Sequence, residues 1–158
     1  MTGTTIYQSG IQPDWIDYNG HLRDAYYVVV LSLATDALMD AVGLDEAYRK
    51  RTECTLFSVE MHLHWKHEVK QDDRLIVDAH ILGADAKRIH VGYDVRTEAR
   101  AEPSATAEFM LLHVRQGAHP GVASFPPEVA AGIERLRAAS NGENWAGPRS
   151  RAIGLVKR

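Results

Sequence analysis

The chain has 158 residues, 45% hydrophobic, 25% charged and 8% aromatic, with a formal charge of −3. That profile fits one soluble domain large enough to bury a core without covalent staples. A slightly acidic chain has no field to hold a polyanion, which excludes nucleic acid as a partner, and a single cysteine, Cys54, allows no internal disulfide.

The opening MTGTTIYQSG lacks the basic and apolar runs of a secretory leader. The longest apolar candidate, Ala25 to Ala34, is roughly half of what a bilayer requires, so no membrane partner and a cytoplasmic location are expected. Thr4 to Gln12 reads as a first strand closed by Pro13. Asp14 to Asp24, rich in Asp, Asn and Gly, reads as a loop. From Ala25 to Val42 the pattern is helical: Ser32, Asp36 and Asp40 form one narrow polar stripe, which predicts a helix buried on most of its circumference. Asp24 suits its N-cap, Gly43 the residue past its end. Leu44 to Thr52, short and charged, reads as a helical turn or a second helix.

The period then changes. In Leu56 to Val69, Phe57, Val59, Met61, Leu63, Trp65 and Val69 alternate with polar residues, as in a long strand with one apolar face. Arg74–Leu82, Lys87–Thr97 and Ser104–Val114 are further strands, the last with both faces partly buried. Turns at Gln71-Asp72-Asp73, Gly83-Ala84-Asp85 and Ala101-Glu102-Pro103 favour an antiparallel meander. Pro126-Pro127 opens a small helix with Val129, Ile133 and Leu136 on one face. Residues 1–140 form the domain and 141–158, rich in Gly, Arg and Pro, a tail. A helix apolar nearly all round needs apolar surface around it, so the expected α+β fold is a curved antiparallel sheet wrapped around a long central helix.

With this topology, the segment Asp17-Tyr18-Asn19-Gly20-His21 leading into the helix resembles the hot-dog thioesterase superfamily. Its 4-hydroxybenzoyl-CoA thioesterase-like group has an Asp in this loop, then Gly-His, then a Tyr at the start of the helix; here these are Asp17, Gly20-His21 and Tyr26 or Tyr27. Asp17-x-Asn19-x-His21 also resembles the catalytic segment of plant acyl carrier protein thioesterases, with Trp65-Lys66-His67-Glu68 loosely matching the later segment that supplies their Glu. Trp15-Ile16-Asp17-Tyr18-Asn19-Gly20-His21 is most similar to the bacterial subgroup that includes betainyl-CoA thioesterases, over about Ile11 to Phe125. The chain departs from the superfamily's His-x-Asn pattern, with Arg23 and Asp24 after His21. The resemblance implies hydrolysis of a short or polar acyl-CoA, with coenzyme A as part of the substrate and no cofactor. It implies a homodimer or homotetramer with shared sites and a basic rim for the coenzyme A phosphates, assigned to Lys87 and Arg88.

The chemistry agrees. Thioester hydrolysis needs a nucleophile or activated water and stabilisation of the oxyanion. A buried helix beginning just after Asp17 offers unpaired N–H groups and partial positive charge for that purpose. Asp17 attacks the carbonyl or deprotonates water, and Asn19 or His21 orients substrate or holds Asp17. Taken alone, Asp17–Gly20 also fits an Asx turn. Glu68 is a further catalytic candidate and Glu60 a substrate contact; either needs a strand bulge to face the helix, and Asp36 is a reserve base. His62, His64 and His67 are out of phase for a metal, and Cys54 has no activating base. Trp15, Tyr18, Tyr26, Tyr27 and Trp65 could box a quaternary ammonium. Two rivals are a hot-dog enoyl-CoA hydratase, disfavoured by Gly20 where its signature has Pro, and a non-catalytic acyl-CoA-binding protein.

Overall fold

The computed structural model describes residues 3–140 and 142–149. Its strands are β1 (Thr4–Ser9), β2 (Cys54–Trp65), β3 (Leu75–Ala84), β4 (Arg88–Thr97), β5 (Ala105–Arg115) and the short β6 (Gly121–Val122). Its helices are α1 (Asp24–Val42), α2 (Glu46–Thr52) and α3 (Pro127–Ser140). The sheet runs β1-β3-β4-β5-β2, antiparallel throughout, with β6 appended to β5. The expected meander therefore holds only for β3-β4-β5. The strand that precedes β3 in sequence lies beyond β5, so the segment from Lys66 to Arg74 crosses the end of the sheet. That crossing delivers its residues to the site described below.

Alternation puts Leu75, Val77, Ala79 and Ile81 of β3, and Ile89, Val91, Tyr93 and Val95 of β4, in one buried layer on the concave face. Onto this layer α1 lays Tyr27, Val30, Leu31, Ala34, Leu38 and Val42. A buried polar pair sits within it: the Thr35 hydroxyl donates to the Leu31 carbonyl at 2.9 Å and lies 3.1 Å from the Tyr93 hydroxyl. Burying both groups is tolerable because each has a partner. Gly43 ends the helix in the left-handed conformation (φ +93°), its N–H returning to Asp40 O.

Further expectations are corrected. The N-cap is Arg23; Asp24 is the first helical residue, and its Oδ1 accepts from the Ala25 amide at 2.8 Å. Nor is α1 buried on most of its circumference, because Val28 (38% exposed), Val29 (40%) and Leu33 (38%) face outward. β2 ends at Trp65, and its apolar row is broken by a bulge between Ser58 and Glu60. Before the bulge Leu56 and Ser58 pair with His113 and Leu111; after it Met61, Leu63 and Trp65 pair with Phe109, Ala107 and Ala105. One extra residue inverts the phase of a strand, so Phe57 turns to the convex side while Met61 and Trp65 stay concave.

The expected tail is not wholly separate from the domain. Part of residues 141–158 docks on the convex face: Trp145 is buried, its Nε1 donates to Asp94 Oδ1 at 2.9 Å, and its ring lies over Gly92. A Cβ at Gly92 would come within 2.7 Å of that ring, so only glycine leaves room. Residues 141 and 150–158 lie outside the described residues. By length and composition α1 is also apolar enough to cross a membrane, contrary to the expectation from the sequence, but 44% of that stretch is buried inside the fold.

Candidate active site

The loop before α1 is built by backbone hydrogen bonds. Ile16 and Leu22 form an isolated antiparallel bridge, the Asp17 amide donates to His21 O at 2.9 Å, and the Gly20 amide donates to Asp17 O at 3.0 Å. Closing so tight a turn requires a left-handed residue, supplied by Gly20 at φ +79°. A methyl group there would meet nothing within 4 Å. Gly20→Ala should therefore cost about 1–2 kcal/mol from backbone conformation alone, read as a lowered urea midpoint at unchanged slope.

Asp17 Oδ1 accepts the amides of Asn19 (2.8 Å) and His21 (3.2 Å), an Asx turn. The turn and the catalytic reading do not compete, since both bonds use one oxygen and leave Oδ2. These donors, the His21 amide foremost, outweigh desolvation and hold the Asp17 carboxyl below its ordinary value, so it is ionised at neutral pH. The loop is pinned to its surroundings by the Leu22 amide on Val69 O (2.7 Å), the Arg23 amide on Trp15 O (2.9 Å) and a Trp15–Tyr26 stack with centroids 5.4 Å apart.

Asp17 opens onto a cavity of about 520 Å³. The loop contributes Tyr18 and His21 beside it, the start of α1 contributes Arg23, Asp24 and Tyr27, and the end of β2 with the crossing segment contributes Trp65, Lys66, His67 and Glu68. The Tyr27 hydroxyl is pushed up to about 12 by burial and by the carboxylates of Glu68 and Asp73, so it stays a donor. Glu68 is held below its ordinary value, first by its own backbone amide and further by His21, Arg100 and Lys70.

The structure thus gathers Asp17, His21, Tyr27 and Glu68 around one cavity. Asn19 is exposed, and its amide holds Asp17; Gly20 shapes the turn. Trp15 and Tyr26 stack beside the loop and do not line the cavity. Glu60 stands on the convex face across from Met110, placed there by the bulge. Lys87 and Arg88 sit at the far end of the sheet: Val95 is level with Trp65 through Ala105, and Arg88 is seven residues, roughly 23 Å, further along β4. Arg88 is also committed to Asp85, with Nε at 2.8 Å. Sequence reasoning gave Lys66 and His67 no role, although they stand beside Glu68 in the segment it matched. The signal was the early break of the strand, invisible while Leu56–Val69 was read as one alternation. Among the described residues no group of His, Cys, Asp or Glu is placed to hold a metal ion.

A curled antiparallel sheet around one helix, with a carboxylate-lined cavity at the helix start, defines a hot-dog thioester hydrolase. The chain belongs to the thioesterase-like superfamily, whose model matches residues 11–133. It is 44% identical over 135 residues to the betainyl-CoA thioesterase of Pseudomonas aeruginosa, covering 85% of this chain and 84% of the relative. A solved structure from Pseudomonas putida KT2440 superposes with a TM-score of 0.81 at 35% identity, over 99% of both chains. A Staphylococcus aureus protein solved in complex with coenzyme A shares the fold at TM-score 0.85 and 23% identity, over 98% of both.

Proposed function

We propose that the protein is a cytoplasmic acyl-CoA thioesterase, acting on a short cationic acyl group of the betainyl type, with Asp17 as nucleophile or general base. The observation that carries the reading is the ionised Asp17 carboxylate on the cavity beside the first turn of α1. Of the helix-end amides, that of Ala25 is taken by Asp24 Oδ1 (2.8 Å) and that of Tyr26 by Arg23 O (3.0 Å), leaving the Asp24 amide to polarise the carbonyl. Asp17 Oδ2 then attacks the carbonyl carbon, or removes a proton from the water that does. The thiolate of coenzyme A leaves and takes up a proton; on the nucleophilic route water then hydrolyses the acyl–Asp17 anhydride, releasing the acid and restoring the carboxylate.

The acyl group is argued from the walls. Tyr18 and Trp65 are exposed aromatic rings on the cavity, and Glu68 supplies a fixed negative charge beside Tyr27. Rings and a carboxylate together favour a quaternary ammonium over an apolar chain. The 44% identical betainyl-CoA thioesterase points the same way. In this reading Glu68 is a counter-charge, since an ionised carboxylate cannot donate a proton to the leaving sulfur. On the same reading Arg23 and Lys66, the cations on the cavity wall, meet the coenzyme A phosphates.

The site also calls for a second copy of the chain. Among the described residues β2 ends the sheet with its outer edge unpaired, Val59 and Met61 exposed along it and Val28, Val29 and Leu33 exposed on α1. A long apolar edge of this kind is an aggregation hazard unless covered. Pairing β2 with its own copy covers it, continues the sheet across both chains and brings the copy's Arg88 end toward this Asp17. That is how Lys87 and Arg88 could serve as a phosphate rim.

The test is thiol release from a panel of acyl-CoAs, with betainyl-CoA expected to give the highest kcat/KM. No release from any thioester would leave an acyl-CoA-binding module; turnover of an enoyl-CoA without thiol release would mark a hydratase. The pH profile is a second check. Because the folded Asp17 lies below its ordinary value of 3.8, the carboxylate persists as pH falls to that value and is lost only below it. The acid limb of kcat/KM assigned to Asp17 should accordingly lie below pH 3.8, measured over the range in which the fold survives.

A further inference from the structure

The convex face carries a second cavity, of about 300 Å³, between the sheet and the docked segment around Trp145. Its floor is polar and buried: Asp78, His80 (4% exposed) and Thr106 (1%). Both oxygens of each carboxylate are already used. Asp78 accepts from the Thr5 hydroxyl on Oδ1 and from Arg96 Nε on Oδ2 at 2.7 Å. Asp94 accepts from Trp145 Nε1 on Oδ1 at 2.9 Å and meets His80 Nε2 on Oδ2 at 3.0 Å.

What remains unsatisfied is mostly on the donor side; the exception is His80 Nδ1, an acceptor in the neutral ring because Nε2 donates to Asp94 Oδ2. Thr106 Oγ1 and His80 Nδ1 are buried without a hydrogen-bond partner. The bond to Asp78 uses only one of the three guanidinium nitrogens of Arg96, and Lys66 brings an ammonium to the same cavity. Arg149 adds a further cation 5.7 Å from the centre of the Trp145 ring. Buried polar atoms left unpaired in a roomy cavity mark a place where something binds. Each carboxylate oxygen already accepts a bond, whereas Thr106, Arg96 and Lys66 converge with donors still to place, so the partner these three call for is an acceptor.

We propose that this cavity is a second binding site, for a small organic carboxylate. Its carboxylate would take the Thr106 hydroxyl and the Arg96 and Lys66 cations, with its short body against the edge of Trp145. The class coincides with the acid that thioester hydrolysis releases; that coincidence rests on the proposed reaction, whereas the binding itself does not. Lys66 also lines the catalytic cavity, so a carboxylate on the convex side competes for the cation assigned to the substrate phosphates.

An NMR titration of the full chain with sodium acetate, against sodium chloride at matched ionic strength, tests the site. The reporter is the Trp145 indole N–H, assigned with Trp145→Phe. Acetate should give a saturable shift, weakened about ten-fold or more in Thr106→Val and kept in Asp17→Asn. Should Thr106→Val disturb the fold, Lys66→Met, altering an exposed side chain, carries the same expectation of weaker binding. Shifts that grow linearly and match chloride overturn the proposal. So does wild-type affinity in the variant, or an affinity altered several-fold in Asp17→Asn, which would put the anion in the catalytic cavity.

Discussion

Asp17→Asn is expected to lower kcat by about 10²–10⁴-fold with little change in KM or in thermal stability. The amide keeps an oxygen at Oδ1 for the Asn19 and His21 amides, so the turn survives while the negative charge disappears. Asp17→Ala removes both bonds and should also destabilise the loop, so comparing the two variants separates chemistry from scaffolding. A single turnover in ¹⁸O-water distinguishes the two roles. Unlabelled acid with label in the Asp17 carboxylate shows attack by Asp17 and opening of the mixed anhydride at the Asp17 carbonyl, whereas a general base never labels the enzyme and always gives acid labelled from water. Retention of more than half the wild-type kcat in Asp17→Asn would remove this residue from the reaction.

The second large effect concerns the uncovered face. Leu33→Asp should convert the proposed dimer to monomer and reduce activity at least about ten-fold, because a carboxylate forced into an apolar interface loses its water with no partner to replace it. In an isolated protomer the same change would be nearly silent, since Leu33 is partly exposed and surface substitutions fall within about 0.5 kcal/mol. Sedimentation velocity and thiol release measured on the same samples decide the matter. A wild-type monomer with full activity would overturn the shared-site reading, and with it any role for Lys87 and Arg88. A dimer untouched by Leu33→Asp would place the interface elsewhere.

These two tests bear on residues whose legibility differed. Asp17 could be picked out because a run of Asp, Asn, Gly and His just before an apolar helical period is a local pattern, and turn chemistry acts over a few residues. Glu68 could be named only by likeness. Its arrival beside His21 depends on β2 stopping at Trp65 and on the Leu22 amide reaching Val69, a bond across 47 positions of chain (69 − 22). Glu60 went astray for a related reason: one bulge, set by how β2 meets β5, reverses the faces of everything after Ser58.

The elements themselves (the helix from residue 24 to Gly43, the alternating strands, the helix after Pro126) follow from periods and punctuation that each segment carries alone. Backbone preference and the side of burial are written into such short stretches, and they suffice for an α+β chain with one apolar sheet face. Strand order, the bulge, the docking of Trp145 over Gly92 and the meeting of Asp17 with Glu68 were decided only when distant segments packed. They had to be, because hydrogen-bond pairing and close packing depend on the partner's position, and no segment encodes that by itself.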